Sequence, residues 1–593
     1  MTRSEVSENA AQNKADVRII LIGEHGVGKT SLIMSLLEDE FCDQVPSRID
    51  NVFIPADVTP DRVVTSIHDY SSEQSFEELQ REILEANVIC IVYSVQDQST
   101  IEKVTSYWLP LVKRILNTEK TICPVILVGN KSDETSSSKH MEKFEEIDTC
   151  IECSAKTMKN VSEIFYFAQK AVIYPSHPLY LPQERELTKK CKRALIRIFK
   201  LCDNDNDGLL NDEELNHFQM FVFVLANDFN ASFCSFYYRK LIGRQETTWR
   251  VLRRFGYDNE IELAVDYLHP PLKVPKGCSI ELTYEGFHFI NTLFEKYDED
   301  RDSCLSPSEM QNLFSVCITH PWTRESCSSV ETNNKGWLTY NGYVCFWVMT
   351  TFLNVSLTME LLAYLGFNMR HHSQLDITRD RRIDIAEKST SRTVFQCHVI
   401  GPKGAGKSVF LQSFAGRSLS VNFFFKKRFA PYVMNSVKVK GATKYLLLHE
   451  VDVLSPDETL TSYEKSADVI VLLYDASDSN SFSYVATIYL KYFYRTKVPC
   501  IVVATKSEYF ESEQEYGQQP GDFCRNHSLP QPILFRHEDI GHTDAPIYTQ
   551  IATMAVYPHL KKVYYLQDSN LLSRITFGAA VAALAAFLLY KNI

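Results

Sequence analysis

The stretch Val17-Arg18-Ile19-Ile20-Leu21-Ile22-Gly23-Glu24-His25-Gly26-Val27-Gly28-Lys29-Thr30 decides the fold. Its second half fits the phosphate-cradling pattern G-x-x-x-x-G-K-[ST]. The apolar run Val17 to Ile22 predicts a buried strand before the loop, and Ser31 to Leu37 predicts a helix after it. Gly23, Gly26 and Gly28 free the backbone to turn its N–H groups, with those of Val27 and Ser31, onto phosphate oxygens. Lys29 then reaches the terminal phosphates, and the Thr30 hydroxyl suits Mg²⁺. The pattern recurs as Gly401-Pro402-Lys403-Gly404-Ala405-Gly406-Lys407-Ser408, after a second strand-like run from Val394 to Ile400. There Gly401, Gly404, Gly406 and Lys407 take the phosphate roles and Ser408 that of the Mg²⁺ ligand. Two nucleotide sites bracket the chain.

A chain of 593 residues is too long for one core. A net charge of −12, with no basic stripe, excludes a general nucleic-acid binder. The 16 cysteines are scattered, with no zinc-ribbon spacing, which reads as reduced thiols in a cytosol-facing protein. Residues Met1 to Ala15 are polar, so no signal peptide is expected. Ile575 to Tyr590 (ITFGAAVAALAAFLLY) is uncharged and mostly apolar, with Arg574 before it and Lys591 after it. The run is short for a membrane span, but the flanking bases can snorkel. It predicts one transmembrane tail anchor with everything upstream on the cytosolic face, and its shortness leans toward the mitochondrial outer membrane.

Residues 16–174 alternate strand and helix signals, as a parallel α/β sheet would. Val63 to Asp69, Val88 to Tyr93 and Pro124 to Gly129 read as strands. The last delivers Asn130-Lys131-Ser132-Asp133 at its carboxyl end, where ligands bind in such sheets. Ser154-Ala155-Lys156 follows. N-K-x-D and S-A-K downstream of this loop resemble the small GTPases of the Ras superfamily. The resemblance implies GTP/GDP as ligand, with Asp133 reading the guanine N–H groups and Asn130 bracing the loop. It likewise implies Lys131 over the ring and the Ala155 N–H on the guanine oxygen. Rho-type members carry Val-Pro-Thr in the first switch; here it is Val45-Pro46-Ser47, and Ser47 keeps a hydroxyl for Mg²⁺. The second switch reads Asp69-Tyr70-Ser71-Ser72, without the usual glycine, and Gln74 is the one candidate for orienting water. His25 stands where glycine is usual. These departures touch catalysis more than binding, so slow hydrolysis is expected.

Pro175, Pro178 and Pro182 mark a linker over 175–186, and a helix is predicted from Leu187 to Leu201. Asp203-Asn204-Asp205-Asn206-Asp207-Gly208-Leu209-Leu210-Asn211-Asp212-Glu213-Glu214 then matches a calcium loop. Asp203, Asp205 and Asp207 supply carboxylates, Leu209 a carbonyl, and Glu214 closes the site. A second loop runs from Asp298, with Asp300, Asp302, the Cys304 carbonyl and Glu309 in the same places. Its turn position is Ser303 in place of glycine, which should weaken Ca²⁺ binding. Lys335 to Tyr340 reads as a ligand-poor partner hand with a short strand. The phenylalanines between Phe218 and Phe236 read as packed core. An all-α EF-hand region is thus expected over 187–370, and a polar linker over 371–390.

The second nucleotide domain is expected over 391–564. Its last strand leads to Thr505-Lys506-Ser507-Glu508, an N-K-x-D with both outer residues replaced, and no S-A-K follows. Phosphate and Mg²⁺ binding with relaxed base selectivity is the expectation. Residues 565–574 form the juxtamembrane segment. The order of GTPase domain, paired EF-hands, second GTPase-like domain and tail anchor resembles the Miro family of mitochondrial Rho GTPases. That resemblance implies an outer-membrane adaptor coupling mitochondria to microtubule motors through motor-adaptor proteins, with calcium altering the coupling. The alternative is a membrane-remodelling GTPase controlling mitochondrial morphology.

Overall fold

A computed structural model of the chain describes residues 17–49, 51–71, 75–119, 123–133, 147–181, 186–222, 245–323, 326–367, 375–417, 429–452, 459–507 and 512–560. They fall into two compact units, one drawn from Met1–Ile198 and Leu210–Leu263, the other from Phe199–Leu209 and Ala264–Ile593.

In the first unit, β1 (Val17–Ile22), β2 (Val52–Ile54), β3 (Thr65–Asp69), β4 (Val88–Ser94), β5 (Val125–Asn130) and β6 (Thr149–Glu152) form one sheet in the order β2-β3-β1-β4-β5-β6. The unbroken apolar runs have a simple cause. In β1, Ile19 and Leu21 join one buried cluster and Ile20 and Ile22 join another, so both faces of the sheet are covered. The sheet is mixed where a parallel one was expected: β2 runs antiparallel to β3. The link from Pro55 to Val64 is too short to hold a crossover helix. Helix Lys29–Glu38 follows the first phosphate loop, and helix Phe76–Glu85 starts at a capping box between Ser75 and Glu78.

The linker segment holds a small ladder, β7 (Tyr180–Leu181) against β8 (Glu186–Leu187). Helix Lys189–Cys202 therefore begins two residues later than the pattern suggested, because Leu187 is spent in that strand. Helix Gln245–Arg254 is fastened to the end of helix Val161–Ile173 and the residues after it. Trp249 is fully buried and its Nε1 donates to the Pro175 carbonyl at 2.8 Å. Lys170 bridges Asp61 at 3.0 Å and Glu246 at 2.9 Å. Phe218 is buried and stacks on Phe255, as a core residue should. The stretch from Phe223 to Phe236 lies outside the described residues.

The second unit opens with β9 (Ile280–Leu282), β10 (Cys304–Leu305), β11 (Leu338–Thr339) and β12 (Leu375–Ile377). Strand β10, inside the second acidic loop, pairs antiparallel with β11 of the ligand-poor loop. Strand β9 pairs with β12. The expected all-α region thus carries short ladders, because two facing loops satisfy each other's backbone groups this way. The supposed polar linker over 371–390 contains β12 and helix Arg381–Glu387, whose N-terminus is capped by Asp380.

A second sheet follows: β13 (Val394–Ile400), β14 (Tyr432–Val439), β15 (Ala442–Glu450), β16 (Val469–Asp475), β17 (Cys500–Thr505) and β18 (Ile533–Phe535). Its order, β14-β15-β13-β16-β17-β18, repeats that of the first sheet, including an antiparallel outer pair. One face of this outer pair is covered by helix Tyr340–Leu353. That helix is apolar all round, and Trp347, Phe294, Met434 and Leu447 belong to one buried cluster. Polar contacts tie the same seam: Asn341 donates to Asn435 Oδ1 at 2.7 Å and accepts from the Ser436 hydroxyl at 2.8 Å. The buried Glu281 carboxylate accepts the N–H of Thr393 at 2.9 Å, the N–H of Val394 at 3.1 Å and the Thr393 hydroxyl at 2.6 Å. Strand β9 is thereby joined to the start of β13. Among the described residues no helix is long and apolar enough to cross a membrane. The run from Ile575 to Tyr590 lies outside them, as do residues 1–15 and 565–574.

Candidate functional site

The first phosphate loop leaves the carboxyl end of β1 at its closest approach to β4. A Cβ on Gly23 would stand 2.1 Å from the Val92 carbonyl oxygen, so only glycine fits. Gly28 has φ +91°, and a Cβ there would meet Asn130 Nδ2 at 2.4 Å. Lys29 is buried and donates to the carbonyls of Gly23 and Glu24, both at 2.9 Å. Burial pulls its ammonium below the ordinary value, against Asp69 and Glu24, which pull it up. The Thr30 hydroxyl donates to Asp69 Oδ2 at 2.7 Å. Burial pushes the Asp69 carboxyl up, opposed by that hydroxyl and by Lys29. Asp69 Oδ1 is buried and, among the described residues, makes no close hydrogen bond. A hydroxyl and a half-satisfied buried carboxylate fit a hard cation such as Mg²⁺. Ser47 is exposed and takes no part in the Thr30–Asp69 hydrogen bond; Ser31, next to Thr30 on the helix, is partly buried. Ser72 and Gln74 lie outside the described residues.

The N-K-x-D and S-A-K motifs converge on this loop. Asn130 Nδ2 donates to the Val27 carbonyl at 3.0 Å, while its Oδ1 accepts the N–H of Lys131 at 2.8 Å and of Ala155 at 3.2 Å. One amide thus fastens β5, the phosphate loop and the S-A-K turn together. Lys131, at φ +64°, reaches back to the Gly26 carbonyl at 2.8 Å. Ser154 donates to Asp133 Oδ1 at 2.7 Å, and this bond holds the exposed Asp133 carboxylate below the usual range. Lys156 is exposed beside them. The motif reading did not include Glu24. Its carboxylate accepts from Trp108 Nε1 at 3.2 Å and pairs with Lys103 at 2.7 Å, so the loop is also anchored from the side. Nothing in the motif signals that anchor.

The second loop repeats the geometry with altered chemistry. A Cβ on Gly401 would meet the Leu473 carbonyl oxygen at 2.3 Å, and Gly404 and Gly406 have φ +85° and +87°. Lys407 donates to the carbonyls of Gly401 at 3.0 Å and Pro402 at 3.3 Å. Ser408 donates to Glu450 Oε1 at 3.2 Å. Strand register explains why Glu450, in a switch stretch His449-Glu450-Val451-Asp452 that lacks D-x-x-G, meets this hydroxyl. Leu21 pairs with Asp69 and Val399 with Glu450, each two positions before the loop's first glycine. Glu450 is therefore the counterpart of Asp69. Thr505 donates to the Ala405 carbonyl at 2.8 Å, as Asn130 does to Val27. Lys506 departs: it pairs with Asp475, whereas Lys131 reaches its loop. The register Ala504–Leu534 and Thr505–Phe535 places Arg536-His537-Glu538 where the first unit has Ser154-Ala155-Lys156. Glu508 lies outside the described residues.

In the first acidic loop, oxygens of Asp203, Asp205 and Glu214 lie within 4.8 Å of one another; in the second, those of Asp298, Asp300 and Glu309 do. The donor sets fit Ca²⁺, an oxygen-seeking cation. Asp207 and Asp302 instead each accept a backbone N–H, from Leu209 and Cys304, both at 2.7 Å. These turns orient the Leu209 and Cys304 segments. Gly208 has φ +81° and Ser303 φ +63°, so the serine adopts the left-handed turn despite its Cβ. Its N–H still reaches Asp298 Oδ2 at 3.1 Å, as Gly208 reaches Asp203 at 3.1 Å. The cost of that conformation is about 1 kcal/mol. Ser303→Gly is expected to tighten Ca²⁺ at the second loop about fivefold, read by calcium titration in a Glu214→Gln background. Equal affinities would mean that the serine carries no strain.

A Ras-family model matches residues 18–174, and two EF-hand-associated models match residues 233–286 and 322–389. The chain is 52% identical to Mitochondrial Rho GTPase 1 of Caenorhabditis elegans, over 98% of this chain and 99% of that one. It is 51% identical to Mitochondrial Rho GTPase 1 of Caenorhabditis briggsae over the same shares. The protein is thus a GTP hydrolase with EF-hand regions, and the chain belongs to the mitochondrial Rho GTPase family.

Proposed function

We propose that the chain is a nucleotide- and calcium-gated adaptor on the mitochondrial outer membrane, linking the organelle to microtubule motors through motor-adaptor proteins. On this reading two P-loop GTPase-like domains stand before and after an EF-hand region in sequence, and Ile575 to Tyr590 is the tail anchor. GTP or GDP with Mg²⁺ would be held by Lys29, Thr30, Asp69, Asn130, Asp133 and Ala155. Bound Mg²⁺ would neutralise charge on the phosphates. The second loop would hold phosphate and Mg²⁺ through Lys407, Ser408 and Glu450, with weak choice of base. Ca²⁺ would be held by the two acidic loops.

The observation that carries the gating is the path from the second acidic loop. Its strand β10 pairs with β11, and the helix that starts next, Tyr340–Leu353, is packed and hydrogen-bonded onto β14. A change in the loop therefore acts on the wall of a nucleotide domain. The test compares mitochondria carrying the wild-type chain with those carrying Glu214→Gln and Glu309→Gln together. Motor complexes co-isolated from cytosol are expected to change severalfold with micromolar calcium for the wild type and to stay constant for the double variant. An equal response in both rules out gating by these loops. GTP turnover rising steeply with protein concentration would favour membrane remodelling.

A further inference from the structure

At the edge of the second sheet opposite Gly401–Ser408, the amino ends of β13 and β16 meet helix Arg381–Glu387 and the end of helix Pro546–Val556. Between them lies a shallow open cleft, whose titratable lining is Arg381, Asp384, Lys388, Arg392, Asp468 and His559. The two acids are already engaged. Asp468 pairs with Arg381 at 2.8 Å and accepts the Gln396 N–H at 2.7 Å. Asp384 accepts from Arg379 at 2.9 Å and from Thr390 at 2.7 Å.

The bases are not balanced. Arg392 is only 7% exposed, yet among the described residues its guanidinium makes one hydrogen bond, from Nη2 to the Gly277 carbonyl at 3.1 Å. Its Nε–H is buried and meets no acceptor among the described residues. A buried arginine donor left without an acceptor is costly and calls for a ligand. Lys388 is exposed at the helix C-terminus and makes no ion pair among the described residues. His559 is held below its ordinary value by burial and by Lys388 and Lys440, so it faces a positive field.

We propose that this cleft binds a phosphate group, with Arg392 as the directional donor, Lys388 as the mobile charge and His559 as a hydrogen-bonding wall. Guanidinium and phosphate match in geometry, and an ammonium adds charge without demanding direction. The group is the headgroup phosphate of an anionic lipid or a free phosphate. After His559 the sequence runs through Lys561-Lys562 toward the apolar stretch at Ile575, which favours the lipid. The phosphate chemistry itself rests on the cleft and not on the anchor.

The test uses the full chain in nonionic detergent, saturated with GDP and Mg²⁺ so that the phosphate loops are filled. It is titrated calorimetrically with dioctanoyl phosphatidate, dioctanoyl phosphatidylcholine and inorganic phosphate. Phosphatidate is expected to bind, and phosphatidylcholine is not. Arg392→Gln is expected to weaken phosphatidate binding about tenfold, and Lys388→Gln about threefold. Lys388 is exposed, so its variant reports even where the arginine variant fails to fold. Phosphatidate binding well above inorganic phosphate assigns the lipid source; equal binding assigns free phosphate. Absence of binding by both phosphates overturns the site. So does phosphatidylcholine binding as tightly as phosphatidate, or affinity unchanged in Lys388→Gln and in folded Arg392→Gln.

Discussion

Lys29→Ala is expected to empty the first phosphate loop of guanine nucleotide. The Lys29 ammonium sits buried between the Gly23 and Glu24 carbonyls, held there before any phosphate arrives. Burial makes it a poorly solvated cation, so a phosphate gains more from it than from a lysine in water. Its removal forfeits a charge-assisted contact of about 2–3 kcal/mol, and one buried and one part-buried carbonyl lose their donor. The expected loss of affinity is about a hundredfold. Lys407→Ala removes the matching group in the second loop. Nucleotide content of the purified full chain, measured by chromatography for each variant, separates the two. Guanine content unchanged by Lys29→Ala would refute the assignment of the first loop. Loss by Lys407→Ala alone would move tight binding to the second unit.

The second large effect is on stability. Glu281→Ala removes the acceptor of two backbone N–H groups and a hydroxyl at the start of β13. Among the described residues the Thr393 and Val394 amides have no other acceptor, and Val394 is buried. Each orphaned group costs about 1–3 kcal/mol, so a loss of about 3 kcal/mol or more is expected in the second unit. Glu281→Gln keeps an acceptor oxygen and should cost less. The control is Glu285→Ala, on the exposed face of the next helix. Thermal unfolding of the full chain, with hydrogen exchange at Thr393 and Val394, measures all three. A Glu281→Ala shift no larger than that of the control would show that the carboxylate does not hold β9 to β13.

Nothing local marks Glu281; in sequence it is one acid among many. Glu450 falls in the stretch at the switch position, but its partnership with Ser408 rests on strand register and not on any D-x-x-G pattern. Glu24 and Trp108 meet across 84 positions. Helix Tyr340–Leu353 reads as apolar on every side, which signals burial but not its partner. The error over 371–390 has a related cause. Charged residues there suggested a solvated linker, yet β12 is held by pairing with β9, and Arg381 by Asp468.

The sequence by itself determined the two phosphate loops, the N-K-x-D and S-A-K turns of the first, the two acidic loops and the strands that deliver them. These features are local: a turn needs glycine at fixed positions, a metal loop needs carboxylates at fixed spacing, and a strand covered on both faces needs an unbroken apolar run. Only the tertiary structure decided which acid stands opposite Ser408, which face of the second sheet the EF-hand region covers, and where arginine is left without an acceptor. Each of these depends on residues far apart in the chain meeting across strand pairs and packed helices, where partners are selected by geometry that no spacing along the chain encodes.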